Sequence, residues 1–270
     1  MTAMHSARLI VTAAIAGAAS GCNAGPIDIA VLSPTSLAAG LVGHWTFDEG
    51  AGTQVRDTSG NERNGTIFGV GWSWIDAGKF GRAFQLAGGD QVAVGGGFGF
   101  PQPTRDYTVS AWVRLGANDV QPPIAAIVSN EIPWGVGPPG GFSLNVDFPA
   151  PGSGELANYH FEYWIGDSVT SMEMAHVQCD CVALDAWTHL AAVVNQTTMT
   201  LTLYVGGVAR QEVSVPRSIG LGERTMYMGR WPQTPTRALT GALDDVAIYA
   251  RALVPEEIVQ LSRAPAPDPF

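Results

Sequence analysis

Residues 107–115 read YTVSAWVRL, and their alternation decides the fold class. Tyr107, Val109, Ala111, Val113 and Leu115 fall on one side of an extended chain, and Thr108, Ser110, Trp112 and Arg114 fall on the other, which predicts a strand with one dry face. The pattern recurs on both sides of this segment. Leu41 to Phe47 forms a first strand. Phe142 to Phe148 sets Phe142, Leu144, Val146 and Phe148 against Ser143, Asn145 and Asp147, and Tyr159 to Ile165 interleaves four apolar positions with His160, Glu162 and Trp164. Further on, WTHLAAVVNQTTMTLTLYVGGVARQEVSV carries Gly206-Gly207 between two apolar runs. That pair predicts a two-residue hairpin turn, because glycine accepts the positive φ such turns require. Strands at intervals of about 8 to 15 residues are the spacing of an antiparallel sandwich.

Composition agrees with an all-β chain. Thirty-three glycines, 18 prolines and 14% charged residues in 270 describe short strands joined by turns. One short closing helix is expected at VPEEIVQL, 254–261, where Pro255 suits the first helical position and Glu256 and Glu257 face the positive end of the helix dipole. The formal charge is −10, with Lys79 as the single lysine. Nucleic acid is excluded as a partner on this reading, since phosphate binding needs clustered cations.

The N-terminus reads as an export signal over 1–21. Leu9 to Ala19 is apolar but far shorter than the roughly 20 residues needed to span a bilayer, and Ala19-Ser20-Gly21-Cys22 follows. This resembles a bacterial lipobox, which implies lipidation of Cys22 and membrane attachment only through that anchor. Ala19 stands where such motifs usually carry leucine, so ordinary signal cleavage and secretion is the alternative. Residues 22–40 read as a tether, 41–262 as one domain and 263–270 as a tail. In an oxidising compartment Cys179 and Cys181 are a candidate disulfide, which requires a turn at Asp180 because positions two apart on a regular strand sit at the limit of bridging distance.

Seven landmarks occur in order: LVGHWTFDEGAGTQVRDTSGNERNGTI, GKFGRAFQLAGGDQVAV, YTVSAWVRL, AWTHLAAVVN, LTLYVGGVAR, MYMGRW and GALDDVAIYARALVPEEI. Together, over about 41–262, they resemble the laminin G-like, concanavalin A-like lectin/glucanase domains of secreted bacterial proteins. The resemblance implies a two-sheet antiparallel jelly-roll sandwich whose first and last strands are neighbours. It also implies a structural calcium ion held by Asp48, the Gly88 carbonyl and Asp244, with Asp57 and Asn61 as further candidates. The alternative for the last two is that they bond only their own turn. Asp245, of opposite strand parity to Asp244, is expected to face solvent.

Enzyme motifs are missing from the sequence. Retaining glycosidases that resemble this fold use E-x-D-x-E or E-x-D-x-x-E on one strand, and this chain has no E-x-D. Glu155 and Glu162 differ by an odd number of residues, and Glu162 alone reads as a solvated strand residue. There is no G-x-S-x-G elbow, H-E-x-x-H, Walker loop or dinucleotide fingerprint. His44 and His189 read as packing residues, as do Trp45, Trp112 and Trp187. Trp134, Trp164, Trp231 and Arg230 are the candidates for ligand contact. The sequence therefore points to a non-catalytic, calcium-stabilised module that binds a polysaccharide or a surface glycan or protein at the cell envelope. The rival readings are a glycan-cleaving enzyme of the same fold and a purely structural envelope component.

Overall fold

The computed structural model describes residues 37–94, 106–116, 122–130, 140–148, 157–168, 171–215, 225–231 and 234–267. In chain order their strands are β1 Leu41–Trp45, β2 Gln54–Val55, β3 Gly65–Phe68, β4 Ser73–Ile75, β5 Ala83–Ala87, β6 Gln91–Val94, β7 Tyr107–Arg114, β8 Ile124–Ser129 and β9 Gly140–Asp147. They continue with β10 Asn158–Ser168, β11 Ser171–Cys179, β12 Trp187–Asn195, β13 Thr200–Val205, β14 Val208–Ser214, β15 Met226–Met228, β16 Arg230–Trp231, β17 Thr234–Ala238 and β18 Thr240–Tyr249, and helix α1 Pro255–Leu261 closes the chain.

Two sheets result. The first runs β14-β13-β12-β7-β18-β5-β4, with β1 also on β18, and the second runs β11-β10-β9-β8-β15-β6-β3-β2. Pairing is antiparallel apart from the Ala238 contact with Ala126 and an isolated bridge between Leu115 and Leu184. Between the sheets lies one core, to which β7 gives Val109, Ala111 and Val113, β9 gives Phe142, Leu144 and Val146, and β10 gives Tyr159 and Phe161. Each large side chain so buried stabilises the sandwich by about 1.5–3 kcal/mol. The Gly206-Gly207 turn joins β13 to β14 with φ of 61° and 80°.

The single dry face expected for β7 needs correction. Thr108, Ser110 and Trp112 are buried as well, because other parts of the chain cover the outside of the first sheet. Helix α1 lays Ile258 and Leu261 against Ala191, Tyr204 and Tyr249, together with Leu37 and Leu41. Its first turn is closed by the Glu257 carboxylate, which accepts from the Val254 N–H (3.1 Å) and from the two terminal guanidinium nitrogens of Arg251 (2.6 and 2.7 Å). Glu257 thus anchors the helix to the end of β18, beyond any dipole effect. Next to it, Thr108 Oγ1 donates to the Arg251 carbonyl and accepts from the Leu253 N–H.

Strand β18 explains the two adjacent acids. Thr240 to Leu243 pair with β5, and Val246 to Tyr249 pair with β1. Asp244 and Asp245 fill the gap between these two partners, where a bulge shifts the register against β7 and Asp245 adopts φ 45°. A bulge breaks the alternation of sides. Both acids are buried, at 0% and 3% exposure, so the expectation that Asp245 faces solvent is overturned.

Candidate functional site

The densest group of chemistry-bearing side chains lies on the outer face of the second sheet. Alternation sends Tyr159 and Phe161 of β10 into the core, and so sends His160 and Glu162 outward. Antiparallel pairing then sets Ser143 of β9, Glu162 and His176 of β11 in one row, and Asn145, His160 and Gln178 in the next. The His160 and His176 ring centroids are 5.1 Å apart.

His160 lies between two carboxylates: Nδ1 is 3.0 Å from Asp147 Oδ2, and Nε2 is 3.0 Å from Glu162 Oε1. Burial on its own would lower the pKa of this imidazole, but the contacts with Asp147 and Glu162 outweigh it and raise the value to about 9. His176 is shifted the other way, by burial and by the charge of His160. Hairpin β16–β17 reaches this face from β8. Trp231 Nε1 donates to Asn145 Oδ1 (2.7 Å), Ser143 Oγ donates to the same oxygen (2.6 Å), and the Arg237 guanidinium lies 4.1 Å from the Trp231 ring centroid. His160, Asn145 and Ser143 are buried beneath these groups, while Glu162, His176, Asp147 and Trp231 stay partly exposed.

The residues expected to hold calcium are placed differently. Asp244 Oδ2 accepts from the Phe80 N–H (2.9 Å) and Asp48 Oδ1 from the Arg82 N–H (2.7 Å), so one loop, GKFGR, binds both carboxylates through its backbone. Gly81 has φ 63°, and a Cβ there would meet Asp48 Oδ1 at 2.4 Å, which is why the loop needs glycine. Asp244 Oδ1 is buried without a partner, and burial foremost raises this carboxyl to about 7. Gly88 is remote from it. Thr240 pairs with Ala87, so Gly88 lies more than four residues along the strand from Asp244, at least roughly 13 Å by the strand rise.

Asp57 commits three of its roughly four acceptor sites to backbone N–H groups. Oδ1 accepts from the N–H of His44 and of Ser59, and Oδ2 accepts from the Arg63 N–H, each at 2.9 Å. Asn61 Nδ2 donates to the Leu41 carbonyl (3.2 Å) and Ser59 Oγ (3.0 Å). These two therefore bond their own turn and β1. The set Asp48, Gly88, Asp244, Asp57 and Asn61 does not converge, and the residues present do not fit one calcium ion with its six to eight oxygens.

The Laminin_G_3 family, described as the concanavalin A-like lectin/glucanases superfamily, matches residues 86–259. The chain belongs to that superfamily. No curated protein sequence matches it. Among solved structures it is similar to domain 4 of AbnA, a GH43 extracellular arabinanase from Geobacillus stearothermophilus, in complex with arabinotriose. The identity is 22% with a TM-score of 0.59, over 83% of this chain and 99% of that one. It is also similar to the botulinum neurotoxin serotype D binding domain (16%, TM-score 0.61, 85% of this chain and 52% of that one). The same toxin's ligand binding domain in complex with N-acetylneuraminic acid gives 17% and 0.60, again over 85% and 52%. The chain thus spans about half the length of the toxin domains, and at these identities the likeness establishes the fold.

On this concanavalin A-like frame the ligand-contact candidates separate. Trp231 reaches the polar face and Arg230, its neighbour, is half-buried and pairs with Ala238. Trp164 is paired with Gly141 and Met174, but its side chain lies outside the described residues, as do Trp134 and Cys22 entirely. Cys179 and Cys181 are joined by a disulfide with Cα atoms 5.2 Å apart, and the chain bends at Asp180, where the Cys181 N–H donates to the Cys179 carbonyl. His160, His176, Asn145 and Arg237 were not singled out from sequence. The alternation of HFEYW places His160 and Glu162 on one side, but recognising His176 requires the β10–β11 register, which the local pattern of MEMAHVQ does not reveal.

Proposed function

We propose that this chain is a non-catalytic carbohydrate-binding module and that its sugar docks on the outer face of the second sheet beside Trp231. One observation carries the reading: a partly exposed indole, fixed by Asn145 and Arg237, borders the half-exposed donors and acceptors Asp147, Glu162 and His176. Aromatic surface for the ring face and convergent polar groups for hydroxyls are what a sugar site needs. The relatives solved with arabinotriose and N-acetylneuraminic acid support the ligand class. Trp134, Trp164 and Arg230 are further contact candidates.

An enzymatic reading has one specific observation in its favour, the Asp147 and Glu162 carboxylates on one face. Two 3.0 Å contacts plus the ring width put their oxygens about 8 Å apart at most, within the span of inverting glycosidases. The His160 imidazole occupies that gap, however, and contacts both acids, so a glycosidic bond has no room between them. Binding is therefore the better reading. We also propose export and attachment to the bacterial envelope through a lipid on Cys22.

A glycan array run with the wild-type protein and Trp231→Ala tests the site. The expected result is a defined set of bound glycans, at least tenfold weaker binding by the variant, and no new reducing ends after prolonged incubation. Unchanged binding by Trp231→Ala would place the sugar elsewhere, and reducing ends lost in Glu162→Gln would make the chain an enzyme.

A further inference from the structure

We propose that His160, Glu162 and His176 form a binding site for a divalent transition metal of the zinc type. One donor atom from each lies within 4.8 Å of the other two. Two imidazoles and a carboxylate with a fourth position left open form a recurrent zinc donor set, while calcium prefers oxygen donors throughout. The strands bring the set together: His160 and Glu162 share a face two residues apart, and His176 sits directly across from Glu162. Donor atoms of a tetrahedral zinc are roughly 3.5 Å apart. His160 Nε2 and Glu162 Oε1 are already at 3.0 Å, so closing the triangle needs only a small turn of the partly exposed His176.

Two further features point to a cation. First, His160 Nε2 faces both Asn145 Nδ2 (2.9 Å) and Glu162 Oε1 (3.0 Å). Trp231 and Ser143 occupy the amide oxygen of Asn145, which fixes its NH2 toward the ring. A single ring nitrogen cannot accept from the amide and donate to the carboxylate at once; zinc on Nε2 would take the place of the proton that faces Glu162, and the Asn145 amide would have to turn away from the ring. Second, Asp147 touches the other nitrogen of the same ring (3.0 Å), as the carboxylates behind zinc-bound histidines do, where they set ring orientation. The opening toward solvent lies at Glu162 and His176, leaving room for a water or a ligand oxygen in the fourth position. This inference does not depend on the sugar reading.

The test is calorimetric titration of zinc chloride into the untagged, metal-stripped chain with the Cys179–Cys181 disulfide kept oxidised and no sugar present. One zinc per chain at a Kd of about 1 μM or tighter is expected, and saturating zinc should raise the melting temperature by several degrees. His176→Ala and Glu162→Gln should each weaken binding at least tenfold, and His176→Ala, at a partly exposed position, should retain the metal-free melting temperature. Asp147→Asn should weaken it by about 10- to 100-fold. Absence of stoichiometric binding, equal affinity in His176→Ala, or binding that appears only after the disulfide is reduced would overturn the proposal.

Discussion

His189 on β12 illustrates how a buried side chain sets the response to pH. Its Nε2 is 2.9 Å from Ser110 Oγ, its ring centroid is 5.3 Å from that of Trp112, and Lys79 caps the same Trp112 at 4.2 Å. Burial, with the Lys79 charge as a lesser cause, holds its pKa down at about 3. A histidine depressed from 6.5 contributes stability that is present above 6.5 and is lost as pH falls toward 3. Between pH 7 and 4.5 the loss is on the order of 2–3 kcal/mol. Asp244 acts in the opposite sense, since a carboxyl raised to about 7 favours the folded state as it gains a proton. Comparison with His189→Gln separates the two. In urea melts at pH 7 and pH 4.5 the variant should lose about 2–3 kcal/mol less than the wild type, and equal losses would show that His189 takes up its proton without unfolding. Asp245 has a different role: it meets His44 Nε2 at 2.5 Å and accepts from the Ala266 N–H, while His44 Nδ1 contacts Thr58 Oγ1 at 2.8 Å. It links β18, β1 and the C-terminal segment.

The turn from Asp57 to Asn64 shows the same economy at the level of an element. Asp57 receives three backbone N–H groups, one of them from His44 in β1, and its own N–H donates to Asn64 Oδ1 (2.9 Å). Removing the carboxylate leaves all three donors unmatched, so Asp57→Ala should cost about 3 kcal/mol in urea unfolding, with Asp57→Asn costing less. The cost should be the same with and without added calcium, and a cost that appears only with calcium would restore this residue as an ion ligand. Most of the elements were legible in the sequence, because alternation in β7, β9 and β10, the Gly206-Gly207 turn and Pro255 at the start of α1 each follow from local physics. What pairs with what was not. The bulge at Asp244 and Asp245 exists because β18 changes partners there, and β11 reads poorly because MEMAHVQ lacks a clear apolar and polar alternation. The metal-ligand and sugar-face residues were hidden for the same reason: His160 and Glu162 are neighbours by parity, but His176 joins them only through strand register and Trp231 only through a hairpin that begins far downstream at Arg230.

For the whole molecule, charge decides how attachment would work. The chain carries 14 basic and 24 acidic residues, a formal charge of −10. Bacterial membrane surfaces are anionic, and a polybasic patch adds about 1 kcal/mol of attraction per Lys or Arg near such a surface. A chain whose 14 basic residues are outnumbered by 24 acidic ones has little net access to that contribution and is repelled. Among the described residues no helix is long and apolar enough to cross a membrane. Attachment through Cys22 would then rest almost wholly on acyl chains, and a single chain holds a protein only marginally whereas two or more hold it firmly. Release on losing the anchor should accordingly be complete. In a bacterial host that processes lipoproteins, the wild-type chain should sediment with membranes and stay there in high salt, while Cys22→Ser should appear almost entirely in the soluble fraction at any ionic strength. Partial retention of Cys22→Ser that high salt releases would mean a charged surface receptor holds the domain, and a wild-type chain found soluble would mean that ordinary signal cleavage, the alternative left open by Ala19, is the route taken.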